Sequence, residues 1–145
     1  MKDSLSKLKQ DCEIKELKVI FDRSPDFDEE SLISPFIHWQ PLFDLYIVNQ
    51  EVVVTIELAG VDIKNLSVYV NKRYMVVEGV RKSASFMNKD TCIFHNIEIP
   101  YGRFYRRIDF PLLIEPREYQ FNMCNGLLII KFPVMKEKVI PVEDG

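Results

Sequence analysis

The five glycines among these 145 residues, at 60, 79, 102, 126 and 145, are too dispersed to cradle a phosphate, and no GxxxxGK[ST] run exists. General bases are scarce, with only two histidines (His38 and His95), and no G-x-S-x-G elbow is present. Acidic residues are plentiful, but none forms a pair in a recognisable pocket motif. The three cysteines, Cys12, Cys92 and Cys124, are odd in number and scattered, which argues against a disulfide framework and for three reduced thiols. Cys92 and His95 lie three apart, so on a strand they face opposite sides, and no second pair completes a metal site. No apolar run approaches the ~20 residues that span a membrane, and the start, MKDSLSKLKQ, is polar. Charge of one sign is missing too: 19 basic and 22 acidic side chains leave a net charge of -3, with no basic strip for nucleic acid. The expectation is a cytoplasmic protein with no catalytic residue, metal, cofactor, membrane or nucleic-acid partner.

What is there is a succession of short strand patterns. Val52, Val54, Ile56 and Leu58 alternate with Val53, Thr55 and Glu57, the period of two of a strand with one face in a core. Leu66, Val68 and Val70 alternate with Ser67 and Tyr69 in the next pattern. Further strands are expected at 42–48, 74–80, 103–110, 118–123 and 127–132, with turns at Asn49-Gln50 and Asn125-Gly126. Asn-Gly between two apolar runs marks a two-residue hairpin, since both residues tolerate positive φ. Many strands and no convincing helix from Pro41 onward predict an antiparallel sandwich with Val52, Val54, Ile56, Leu128 and Ile130 in its core.

The flanks differ from this centre. Leu5, Leu8 and Cys12 follow helical spacing, and Leu17, Ile20 and Phe21 extend it, so residues 1–40 read as a partly helical or disordered arm. An acidic stretch with Pro25 breaks that pattern and is expected to stay solvated. The apolar segment 32–39 follows, holding the only tryptophan; it either packs onto the sandwich or stays a sticky surface. Between Gly79 and Gly102 runs a connection too long for a plain turn, with a β-prone centre at 92–97. After residue 134 a short charged tail, 135–145, delivers Ile140-Pro141-Val142, two β-branched apolar side chains around a stiffening proline.

Five stretches together resemble the small heat-shock protein family and its α-crystallin domain. They are Glu57-Leu58-Ala59-Gly60-Val61-Asp62 with Leu66; Val76-Val77-Glu78-Gly79-Val80-Arg81-Lys82; Tyr101-Gly102-Arg103-Phe104-Tyr105-Arg106 leading to Phe110-Pro111; Asn125-Gly126-Leu127-Leu128; and the Ile-Pro-Val tail. The resemblance covers about residues 41–142. Three residues depart from the family pattern: Ala59 replaces a proline, Ile99 an arginine, and Phe121 a small residue.

That resemblance implies an immunoglobulin-like β-sandwich over 41–134, between the arm and the tail. It implies an ATP-independent holdase that binds partly unfolded proteins and works as a dimer-based homo-oligomer. Client contact falls to Leu32, Ile33, Phe36, Ile37 and Trp39. In the bacterial and plant branch the long connection pairs with the neighbouring subunit, which makes Ile93, Phe94, His95, Ile97 and Arg106 dimer residues. Arg106 is expected to meet a carboxylate across that contact, since its planar fork suits one. Ile140, Pro141 and Val142 are then a hook that docks between the strands 66–70 and 118–123. That groove is lined by Leu66, Val68, Val70, Tyr119, Phe121 and Met123, and Phe121 is expected to fill part of it. The competing reading is a CS-domain-type co-chaperone adaptor, a monomer on a similar sandwich; the long connection and the tail argue against it.

Overall fold

The computed structural model describes residues 16–21, 23, 37–83 and 91–136. Among the described residues eight strands form two four-stranded sheets, and their order is set by the alternating patterns and turns. One sheet has the order β1 (Lys18–Phe21), β4 (Leu66–Val70), β5 (Tyr74–Arg81), β6 (Gly102–Asp109). The other has the order β2 (Phe43–Val48), β3 (Glu51–Glu57), β8 (Leu127–Pro133), β7 (Gln120–Cys124). Every pairing is antiparallel except that of β1 with β4.

Turn chemistry fixes the hairpins. Asn49 and Gln50 both have positive φ, at 50° and 60°, and Asn125 and Gly126 follow at 54° and 82°. These are the mirror-image turns whose twist matches that of the strands they join. Register then places the apolar sets inward. Val52 lies opposite Phe132, Val54 opposite Ile130 and Ile56 opposite Leu128, all fully buried. The facing sheet contributes Leu66, Val68, Val70, Met75, Val77, Phe104 and Ile108. The expected core and seven of the strands are observed, with end shifts of one or two residues.

Two expectations are corrected. The helical spacing of Leu17, Ile20 and Phe21 is not used; Lys18–Phe21 is a strand with the parallel register Lys18–Ser67 to Phe21–Val70. Four residues are too few for a packing-independent helix, and the unfilled edge of β4 rewards an extended segment with β-branched residues. Extension also puts Leu17, Val19 and Phe21 on one face, against the core. Second, Cys124 is disulfide-bonded, while Cys92 is a free thiol. An odd cysteine count argues against a framework but not against one bridge, which needs only two sulfurs brought together by the fold.

Candidate functional site

Strand β1 closes one open side of the sandwich. The expected groove residues Leu66, Val68 and Val70 sit on the inward face of β4, and Phe121 and Met123 face inward from β7 in register with Ile130 and Leu128. Val19 and Phe21 pack between them, in register with Val68 and Val70. The Phe21 ring lies 6.0 Å from that of Tyr119, which stacks on Phe121 at 6.3 Å, and the Arg117 guanidinium covers Phe21 at 4.7 Å. The structure thus brings all six groove residues together around a segment of the chain's own arm. Ile140, Pro141 and Val142 lie outside the described residues, as do Leu32, Ile33 and Phe36.

Trp39 is seated on the domain. Its ring tilts against Phe104 at 4.9 Å, its indole N–H donates to the Gly102 carbonyl at 3.1 Å, and the backbone N–H of His38 donates to Arg103 O. Gly102 allows this approach, because its φ is +104° and a Cβ there would overlap the His38 ring. Above Trp39 lies Arg81, a buried cation to which no carboxylate is bonded among the described residues. Its Nε and Nη2 donate to Pro100 O at 2.9 and 2.6 Å, and Nη1 donates to Ala59 O at 3.1 Å. One guanidinium therefore ties together the arm, the β3–β4 turn and the end of the long connection. Sequence reasoning quoted Arg81 only as part of a family-like stretch and gave it no role; an arginine closing a strand rich in apolar residues was the available signal. Half-buried Ile37 precedes this anchored segment.

The part of the long connection at 91–101 joins neither sheet, with a turn at Thr91 and bends at His95 and Ile99. Ile93 and Ile97 are 84% and 60% exposed, and Phe94 and Ile99 are exposed as well. His95 is exposed, and Asn96 donates to Glu98 at 2.8 Å. Strand β2 ends its sheet, and its Tyr46, Ile47 and Val48 side chains are exposed too. Arg106 projects inward from β6, opposite Val77, and stands 4.7 Å over the Phe43 ring of β2. Within the chain it is this aromatic face that the guanidinium covers. Among the described residues no cluster of three His, Cys, Asp or Glu side chains could hold a metal, and no helix is long and apolar enough to cross a membrane.

Such a sandwich, with a long connection between two strands of one sheet and an apolar edge strand on the other, defines an α-crystallin-type domain. The model of the Hsp20/alpha crystallin family matches residues 46–143, and the chain belongs to that family of small heat-shock chaperones. Among solved structures, it is similar to heat shock protein 16.0 from Schizosaccharomyces pombe, with a TM-score of 0.65, 21% identity and coverage of 78% of each chain. It is also similar to hspA from Xanthomonas axonopodis, with a TM-score of 0.58 and 29% identity over 66% of this chain and 94% of that one. A small heat-shock protein from Xylella fastidiosa follows at a TM-score of 0.61 and 25% identity, covering 71% and 93%. No curated protein matches the sequence.

Proposed function

We propose that this protein is an ATP-independent holdase that captures partly unfolded chains and works as a homo-oligomer built from dimers. The observation that carries the reading is the pair of unfilled apolar segments on one molecule, the tract at 93–99 and the β2 edge with Ile47 and Val48. A two-fold pair of subunits satisfies both at once, since the tract of each lies along β2 of the other and the contact is made twice. Ile93, Phe94, His95 and Ile97 then lie in the interface, with Arg106 bracing Phe43 on β2 from within. The tail residues Ile140, Pro141 and Val142 link such dimers through the groove between β4 and β7.

Aggregating clients present apolar surface and unpaired strand edges, and binding them holds down the free concentration from which aggregates grow. No phosphate-binding loop is present in the sequence, so capture is proposed to run on burial alone. The test mixes the protein with a heat-labile client and follows light scattering with and without ATP. Equal suppression in both arms is expected at stoichiometric amounts. A strict ATP requirement, or no suppression at any ratio, overturns the reading, and a monomeric native mass moves it to the adaptor class.

A further inference from the structure

The outer face of the sheet formed by β2, β3, β8 and β7 is buried unevenly. Val53, Lys131, Asn122 and Cys124 alternate with the core-facing residues of their strands, so their side chains point away from the core. All four are buried nonetheless, Asn122 at 2% exposure and Cys124 at 7%. Toward β2 the same face is open, at Asp44 and Tyr46. β7 is an edge strand with one neighbour, so an outward side chain there meets solvent unless something lies over it. No described strand does, since all eight belong to the two sheets. The Asn122 Nδ2 is buried with no acceptor among the described residues, a contact left for a cover to complete. Cys124 adds a second observation: its sulfur is disulfide-bonded, while Cys92 is a free thiol. The sequence holds one other cysteine, Cys12, which lies outside the described residues.

We propose that Cys12 is the partner of Cys124, and that this bridge holds the arm segment before β1 over the outer faces of β3, β8 and β7, as a cover that a dithiol reductant releases. Chain reach allows it. β1 begins beside the start of β4, at the end of the sandwich where the Leu58 N–H donates to Gly126 O at 2.7 Å. Gly126 lies in the turn directly after Cys124. The steps from Cys12 to buried Leu17 span up to roughly 17 Å, about three strand spacings. Leu5 and Leu8, upstream of Cys12, are the apolar side chains such a cover brings to Val53 and Ile129. Reduction delivers two electrons and two protons to the bridge. One thiolate of the dithiol attacks it, a mixed disulfide forms and the first protein thiol leaves; the reagent's second sulfur then closes its own disulfide ring and frees the other thiol. Without the bridge the segment is held by few apolar contacts, and such segments open at low free energy. Val53 and Ile129 then join the exposed Tyr46 in one apolar strip. Under the holdase reading that strip adds capture surface; the bridge, the cover and their test stand without that reading.

Two measurements on the full chain test this. In the first, Cys92 is capped with iodoacetamide and the protein is digested without reductant. Mass spectrometry is expected to find the Cys12 and Cys124 peptides linked, from material that runs as a single chain on a non-reducing gel. In the second, Lys131, buried on the covered face, is acetylated with an amine-reactive ester before and after treatment with dithiothreitol, and exposed Lys72 serves as the internal reference. Lys131 labelling is expected to rise about tenfold or more on reduction, as a state open at most about 10% of the time becomes the main one. Cys12→Ser should show the raised rate without reductant, and Lys72 should not change. Absence of the linked peptide, or a bridge joining two chains, overturns the proposal. A linked peptide with Lys131 labelling unchanged by reduction overturns the cover. So does a rise that comes with loss of β-sheet circular dichroism, which reports unfolding. Should Cys12→Ser fail to fold, the parent protein before and after reduction decides the matter alone.

Discussion

The guanidinium carbon of Arg81 sits 3.9 Å from the centre of the Trp39 ring, and its nitrogens are used on backbone carbonyls. A buried charge of this kind is tolerated because every part of it is used: the flat face on an aromatic ring, the fork on oxygens of Pro100 and Ala59.

Removing it leaves those carbonyls without their donor. Hydrogen bonds to a charged group are worth roughly 1.5–3 kcal/mol each, and losing a buried partner is costlier than losing the bond. Arg81→Ala is therefore expected to destabilise the fold by about 3 kcal/mol. Arg81→Lys keeps the charge but not the fork, and should recover less than half of that loss. Urea unfolding followed by tryptophan fluorescence checks both, since Trp39 is the only tryptophan. A loss under ~0.5 kcal/mol in the alanine variant counts against the clamp.

At Gly102 a methyl group would meet the His38 ring at a φ that side chains rarely adopt. Gly102→Ala is expected to cost about 1–3 kcal/mol in strain and to release the segment holding Trp39. A red-shifted Trp39 emission in the native state is the expected signature. An unshifted spectrum with unchanged stability would show that the backbone there relaxes freely.

Dimerisation should be separable from folding. Phe94 lies on the unpaired tract, so Phe94→Pro removes one donor and the ring without touching the core. The expected product keeps its β-sheet circular dichroism and runs as a monomer at micromolar concentration by light scattering. Loss of the fold would place the tract in its own subunit's core; a normal dimer would move the contact to β6.

The tail is expected to act as many weak links. Ile140 and Val142 offer at most about 3–6 kcal/mol per arm before ordering costs. Ile140→Gly with Val142→Gly should leave the dimer intact and dissolve larger assemblies, read as native mass by light scattering. An unchanged mass would remove the tail from assembly.

Seven of the eight strands were legible because each carries its own alternation and its own turn: Val52, Val54 and Ile56 needed no distant partner to declare their face. β1 was not legible. Leu17, Ile20 and Phe21 satisfy helical spacing in isolation, and only the vacant edge of β4 converts Lys18–Phe21 to a strand. Periodicity over so few residues is ambiguous, and tertiary contact decides it. The same holds for single side chains. Trp39 was visible as part of an apolar segment that either packs or stays open to clients, but its seat depends on Arg81 and Phe104, which are far away in sequence. The sequence marked Arg106 without its partner, because the Phe43 ring reaches it only when the two sheets face each other. Cys124 likewise needed the fold to find its bridge.

The parallel register of β1 on β4 has a consequence for how the chain acquires its shape. The antiparallel hairpins at Asn49-Gln50 and Asn125-Gly126 join neighbours and can zip locally. Lys18, by contrast, meets Ser67 only after a loop of about 50 residues has closed. Such a contact adds little until β4 and β5 already exist to receive it, so it forms late. During synthesis the segment leaves the ribosome before the other described strands, yet it must wait for the rest of the sandwich before it can dock. Made before the strands that receive it, β1 docks after them, and in that interval its apolar residues are open to whatever binds a nascent chain.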